Sequence, residues 1–304
     1  MPAVNPAMSS LDANIRRALD VLLPKIKQQR EKSSKPIVLG ITGLQGSGKS
    51  TWAARIVEIL TSEHQLQTIT VSLDDFYKTH DGLIHQRDQD LNNKLYRVRG
   101  QPGTHDEQLA ATFFGELEHY SGGGKLRIPS FDKSQFNGEG DRAPISDWHS
   151  VIQKPDVVVF EGWCVGFQPL PAPAVKEKHS LALAGKLPVN TPAQHQITHL
   201  LEVNENLQRY CDSFMGPGHF DFFVHIDTND LRNVYAWRLE QEHKMIAAKG
   251  SGMSDDQVKA FIDGYMPSYE IYLDALRQGL FKDKGRMVRV VLDRQRSVEE
   301  VEEL

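Results

Sequence analysis

Gly43-Leu44-Gln45-Gly46-Ser47-Gly48-Lys49-Ser50 is the stretch whose reading decides the fold. It satisfies the pattern GxxxxGK[ST], and it lies where that pattern carries meaning, between a strand and a helix. Before it, residues 36–42 form a short apolar run rich in β-branched residues that ends in glycines, which reads as a buried strand. After it, residues 51–62 carry a helical pattern. A backbone that wraps closely enough to aim its N–H groups at phosphate oxygens leaves no room for β-carbons, hence the glycines. Lys49 then brings positive charge to the β- and γ-phosphates, and Ser50 offers a hydroxyl to Mg²⁺. The helix opening near Thr51 adds the positive end of its dipole. The expected ligands are ATP and Mg²⁺, with Gly43, Leu44, Gln45, Gly46, Ser47, Gly48, Lys49, Ser50 and Thr51 as the nucleotide-binding set. A glycine-rich turn with a capping serine is the alternative, and the order of strand, loop and helix counts against it. The loop does not say whether the phosphoryl acceptor is water, a protein or a metabolite.

Outward from the loop, helical patterns alternate with apolar runs at residues 68–73, 156–160, 220–226 and 287–292. Such alternation predicts an α/β fold, a doubly wound and mostly parallel sheet with helices on both faces. Residues 230–249 and 254–276 read as two long amphipathic helices. Ahead of the first strand, Leu11, Ile15, Leu19, Leu22, Leu23 and Ile26 recur at helical spacing, and polar residues 28–35 follow. The expected organisation is an N-terminal helix and linker over 1–35 and a phosphate-loop domain over 36–304. Residues 77–155 are too long for an idle loop and are expected to carry substrate contacts. The Pro/Ala-rich stretch over 168–193 reads as a surface insertion whose order the sequence leaves open.

The second predicted strand ends in Ser72-Leu73-Asp74-Asp75-Phe76-Tyr77, which puts two carboxylates at a strand's carboxyl end, where doubly wound sheets bind ligands. Phosphoryl transfer asks little covalent work of the protein, so a carboxylate that orients an acceptor hydroxyl and takes its proton is the expected contribution. Asp74 is the candidate. An Asp at such a junction equally serves as a cap, and that alternative weighs more on Asp75. The run Asp156-Val-Val-Val-Phe160 leads into Glu161-Gly162, an acidic residue at a buried strand end that is suited to magnesium or its water. Pairing with a local Arg is the other explanation for Glu161. Asp75 and Glu161 are both kept as metal candidates beside Ser50.

Taken together, GLQGSGKS, SLDDFY and VVFEGW resemble the uridine kinase, phosphoribulokinase and pantothenate kinase group of P-loop proteins. The resemblance implies that Asp74, by position, serves as the base. Further segments resemble the D-glycerate 3-kinase branch: Arg99-Gly-Gln-Pro-Gly-Thr-His105-Asp106, Pro129-Ser-Phe-Asp132-Lys133-Ser134, Asn137-Gly-Glu-Gly-Asp141-Arg142, Glu161-Gly-Trp-Cys-Val-Gly166-Phe167 and Tyr265-Met-Pro-Ser-Tyr269. The similarity runs over residues 36–293. It departs at Gln101-Pro102, at Ser130-Phe131 and in the Pro/Ala stretch. It implies transfer of the γ-phosphoryl group of ATP to a hydroxyl of D-glycerate, giving 3-phosphoglycerate. Glycerate carries a carboxylate, so its site needs cations, and Arg99, His105, Lys133 and Arg142 are the basic residues within these segments. At least two of them are expected at the substrate. In related kinases a helical lid supplies an Arg to the transferring phosphoryl oxygens, and by position that Arg is Arg238. An ordinary amphipathic helix with charged flanks is the alternative there. The neighbouring possibilities are a kinase for a nucleoside or pantothenate, and an ATP-binding protein without an acceptor site.

Composition bounds the remaining classes. The 304 residues carry a formal charge of −5 from 40 acidic and 35 basic side chains, too even a mixture for a general nucleic-acid binder. A small-molecule partner is expected, with neither nucleic acid nor membrane. No apolar run approaches the roughly 20 residues that span a bilayer, and the opening residues have the makeup of neither a signal nor a transit peptide. With only two cysteines, Cys164 and Cys211, the expected setting is a reducing one, the cytoplasm.

Overall fold

A computed structural model describes residues 10–304. Residues 1–9, on which the expectation about targeting segments rests, lie outside them. In chain order the strands are β1 (Ile37–Gly43), β2 (Thr68–Ser72), the two-residue strands β3 (Arg127–Ile128), β4 (Phe131–Asp132), β5 (Asp141–Arg142) and β6 (His149–Ser150), then β7 (Val157–Gly162), β8 (Phe222–Asp227), β9 (Met287–Leu292) and β10 (Val298–Glu303). The α-helices are α1 (Ser10–Lys32), α2 (Lys49–His64), α3 (His80–Gln89), α4 (Glu107–Glu118), α5 (Ala172–Leu183), α6 (Ile197–Tyr210), α7 (Asn233–Lys249), α8 (Asp255–Asp263) and α9 (Met266–Arg277).

Six strands form the central sheet in the order β10-β9-β8-β1-β7-β2. All pairs are parallel except β9 with β10, so the α/β, mostly parallel reading holds. Strands β1, β7 and β8 are buried almost throughout, which is why each reads as a continuous apolar run rather than an alternating one. The register sets Thr42 opposite Gly162 and Ser72 opposite Glu161. The carboxyl ends of β1, β7 and β2 therefore stand side by side, which gathers the phosphate loop, Glu161 and the Asp74–Asp75 turn at one end of the sheet.

Helix α1 packs against α2 and the sheet, burying Ile15, Ala18, Leu19, Leu22 and Ile26. Arg55 of α2 grips Asp12 of α1 through two hydrogen bonds of 2.8 Å. The helix runs on through most of the expected linker. An aromatic layer covers a face of the sheet: the Phe160 ring of β7 lies 4.7 Å from Phe114 of α4 and 6.2 Å from Phe220. Between 77 and 155 the chain forms α3, α4 and two small ribbons, β3 with β6 and β4 with β5.

One expectation changes, and one left open is filled in. The single helix over 254–276 is broken into α8 and α9, because Pro267 in the first turn of α9 has no N–H to continue a helix from the turn before it. The Pro/Ala-rich stretch, whose order the sequence leaves open, holds the helix α5, which starts behind Pro171 and buries Val175 and Ala182.

Gly40 shows how tightly the aromatic layer is fitted to β1. A β-carbon there would sit 2.5 Å from the Phe223 ring and 2.8 Å from that of Phe220, and both rings are buried. Gly40→Ala is expected to overpack the sheet and cost about 1–3 kcal/mol of unfolding free energy. The urea midpoint measures this, and an unchanged midpoint would show that the rings yield freely.

Candidate active site

The loop between β1 and α2 has the backbone that its glycines permit. Gly46 and Gly48 lie at φ of 79° and 89°, in the left-handed region. Gly48 caps α2 without a side-chain hydrogen bond, and the first turn of α2 holds no acidic residue. Its N–H groups therefore open towards an anion. Gly46 also meets a neighbour: a β-carbon on it would lie 2.8 Å from Trp237 Cβ and 2.9 Å from its carbonyl carbon. Helix α7 is thus pressed onto the loop. Arg296 locks the two together, its Nε donating to Gly46 O at 2.8 Å and its Nη2 to Trp237 O at 2.9 Å. On the other side, Gln45 N donates to the Tyr269 hydroxyl at 3.1 Å. A cavity of about 350 Å³ opens here, lined by Lys49, Ser50 and Thr51 from the loop and α2, and by Gln241, Lys244 and Arg296.

Beside Ser50, Glu161 is buried with 7% exposure. Its Oε1 accepts from Ser50 Oγ at 3.2 Å and from Ser72 Oγ at 3.1 Å, while its Oε2 has no partner among the described residues. Two hydroxyls and a buried, half-satisfied carboxylate next to the phosphate cradle make a donor set that fits magnesium. Among the described residues no Arg pairs with Glu161. Asp75 is engaged differently: its Oδ2 accepts from Ser72 N at 2.9 Å and closes a capping box over the turn after β2. Capping, the alternative weighed from sequence, is the role in which the fold uses this residue. Burial, with the charges of Asp74 and Glu161, pushes the Asp75 carboxyl up to about 7 against the pull of that hydrogen bond.

Asp74 points elsewhere. Lys133 Nζ lies 2.5 Å from its Oδ2. Burial raises its carboxyl, but Lys133 and Lys49 outweigh that and hold it below the usual carboxylate range. It lines a cavity of about 660 Å³ together with Gln45, Tyr77, Arg99, Lys133, Arg238, Gln241 and Tyr265. Gln45 and Gln241 line both cavities, so the phosphate pocket and this second chamber meet at them. Arg99 stacks over Tyr77 and Phe131, and its Nη1 donates to Gly138 O at 2.7 Å. Burial and the charge of Asp74 push both the Tyr77 and Tyr265 phenols up, so each stays a neutral donor. Trp163 braces this wall, its ring 4.9 Å from Tyr265 and 5.6 Å from Tyr269.

Of the four basic residues expected at the substrate, Arg99 and Lys133 line the chamber with Asp74, and Arg142 and His105 do not. Arg142 is committed to the fold, donating to Asp106 Oδ2 at 2.8 Å and Tyr77 O at 2.9 Å. His105 is fully buried, stacked 4.4 Å from the Tyr77 ring, with Nδ1 3.0 Å from the Tyr210 hydroxyl. Burial pushes it down to about 3, so it carries no charge to offer a carboxylate. Sequence reasoning passed over Arg296, Gln241 and the three tyrosines. Tyr77, Tyr265 and Tyr269 lie inside the segments that carry the family resemblance, so the sequence held a signal for them. Arg296 follows the last parallel strand with no motif around it.

The raised Asp75 gives a pH signature. Its folded pKa lies above the usual carboxylate value, so its contribution to stability is present below about pH 4 and is lost as pH rises through about 7. Asp75→Asn keeps an acceptor for Ser72 N and has no charge to bury. In nucleotide-free protein with EDTA, the urea midpoint of the variant relative to wild type should rise between pH 5 and pH 8. A difference that is the same at both pH values would place the carboxylate in an unperturbed setting.

Residues 38–169 match the phosphoribulokinase/uridine kinase family. The chain is 35% identical over 293 residues to an uncharacterised kinase of Schizosaccharomyces pombe, covering 95% of this chain and 98% of that one. It is 34% identical over 265 residues to the chloroplastic D-glycerate 3-kinase of Arabidopsis thaliana, covering 86% of this chain and 54% of the plant protein. Among solved structures, D-glycerate 3-kinase of Cryptococcus neoformans superposes with a TM-score of 0.82 at 31% identity, covering 95% of this chain and 99% of that one. With these identities and coverages over nearly the whole chain, and a phosphate loop with a carboxylate beside it, the chain belongs to the D-glycerate 3-kinase family of P-loop kinases, related to phosphoribulokinase and uridine kinase.

Proposed function

We propose that this protein transfers the γ-phosphoryl group of ATP to a hydroxyl of D-glycerate, giving 3-phosphoglycerate and ADP. The observation that carries the reading is Asp74, ionised between Lys133 and Lys49 in a chamber that opens directly onto the phosphate pocket. An acceptor hydroxyl in that chamber attacks the γ-phosphorus, the bond from that phosphorus to the β,γ-bridging oxygen breaks, and the hydroxyl proton passes to Asp74. Lys49 and the N–H groups at the start of α2 offset the charge on the triphosphate. Ser50, Glu161 and Ser72 are the residues that would hold magnesium, which draws charge off the β- and γ-phosphates when it is bound. Lys133, beyond orienting Asp74, shares with Arg99 the task of attracting the acceptor's carboxylate. The mixed, slightly acidic charge supports a small-molecule partner over nucleic acid. No described helix is long and apolar enough to cross a membrane, and both cysteines are unpaired. The two unpaired cysteines suit a reducing compartment, and we read the enzyme as cytoplasmic from them.

ADP release measured with D-glycerate, L-glycerate, uridine and pantothenate tests the acceptor. D-glycerate should be turned over with the highest kcat/KM. Asp74→Asn should keep the affinity for ATP within about twofold while lowering kcat by roughly 10²- to 10⁴-fold, the range for loss of a positioned base. Intact turnover in this variant would remove Asp74 from the role, and preference for another acceptor would remove D-glycerate.

A further inference from the structure

Helix α7 presents Arg238, Gln241 and Lys244 at intervals of three residues, so each neighbours the next and the row winds slowly round the helix. They do not line the same space. Arg238 lines only the chamber of Asp74, Lys244 only the phosphate pocket, and Gln241 lines both. The phosphoryl group that moves between nucleotide and acceptor must cross where the two spaces join, which is between Gln45 of the phosphate loop and Gln241.

Arg238 is held on the acceptor side. Its Nη1 lies 2.5 Å from Glu242 Oε2, and its guanidinium rides 5.3 Å from the centre of the Phe261 ring. Glu242 is fully buried and is fixed in turn by Met253 N, which donates to its Oε1 at 2.7 Å. A buried carboxylate is costly unless it is paired, so this one stays on Arg238 and fixes where that side chain points. Gln241, by contrast, is exposed and has no hydrogen-bond partner among the described residues, so its amide is available to a ligand.

We propose that Gln241 is a catalytic residue whose amide donates to the transferring phosphoryl group, and that Arg238, one turn earlier, holds an anionic group of the acceptor. Lys244, one turn later, lies along the triphosphate. The row thus reads acceptor anion, moving phosphoryl group and nucleotide phosphates in order. The inference deepens the glycerate kinase reading and rests on it for the chemical nature of the acceptor. It assigns the lid a role in choosing acids over neutral alcohols, because only an anionic acceptor gives Arg238 a second partner beside Glu242.

Gln241 is exposed, so Gln241→Ala should fold as the wild type does, checked by its melting temperature. With D-glycerate it should lower kcat by roughly 10- to 100-fold and leave both KM values within about twofold, the cost of one donor to a charge that develops in the transition state. Arg238→Ala should instead raise KM for D-glycerate roughly tenfold or more and shrink the preference for D-glycerate over glycerol, which lacks the carboxylate, by the same factor. A loss of kcat at constant KM in Arg238→Ala would put Arg238 on the phosphoryl group and overturn the order along the helix. A second readout does not need the acceptor: aluminium fluoride added to magnesium ADP mimics the moving group, and calorimetry gives the gain in affinity. Gln241→Ala should cut that gain roughly tenfold while binding ADP alone as wild type does. A gain that is equal in both proteins, or absent in both, overturns the role of Gln241. Failure of wild type to use D-glycerate with a reduced gain in the variant would remove the acceptor and keep the residue.

Discussion

The contact on which the active end depends is the one between two backbones, that of Gly46 in the phosphate loop and that of Trp237 and Arg238 at the start of the lid helix. With a β-carbon sited 2.9 Å from the Trp237 carbonyl carbon and 3.0 Å from Arg238 N, any residue but glycine would push α7 away. Arg296 bridges the contact by donating to a carbonyl on each side and to Glu240. The lid helix is therefore registered on the loop itself, and every side chain it offers to the ligands takes its place from that point.

Around this contact the charges are arranged so that none of the three carboxylates has the same task. Asp74, Asp75 and Glu161 lie close enough to influence one another, and equal surroundings would make them compete for protons. Lys133 and Lys49 hold the Asp74 carboxyl below its usual range in the chamber that Arg99 and Tyr265 also line. Asp75 closes a turn and is pushed towards its neutral form. Glu161 faces the two serine hydroxyls with an oxygen to spare. The separation comes from three different settings within a few residues of two neighbouring strand ends, which is a property of the parallel sheet.

The chamber wall is held by aromatic packing. Trp163, directly after Glu161 and Gly162, packs edge-on against Tyr265 and Tyr269, and its Nε1 donates to Gly100 O at 3.1 Å. Tyr269 reaches the phosphate loop through its hydroxyl. Tyr77 rests on the buried ring of His105, which is held by Tyr210. His105 thus acts as a flat spacer beneath the chamber, which accounts for this histidine without giving it a ligand.

The sequence by itself determined whatever local spacing and burial impose: the strand–loop–helix around Lys49, the parallel α/β sheet, the carboxylates at the ends of β2 and β7, and the amphipathic lid. Glycines that must adopt left-handed backbone and apolar runs buried on both faces leave their mark within a few residues, so they are legible in one dimension. Only the tertiary structure decided which basic residues reach the chamber, that Pro267 divides the last long helix, that Asp75 is spent as a cap, and that Arg296 joins loop to lid. Arg99, His105, Lys133 and Arg142 look alike in a string of polar residues. What separates them is the partner each meets across long stretches of chain: a carbonyl of Gly138, the phenol of Tyr210, the carboxylate of Asp74, or that of Asp106. Those meetings are set by how the 77–155 segment folds back over the strand ends, and a side chain's charge carries no record of them.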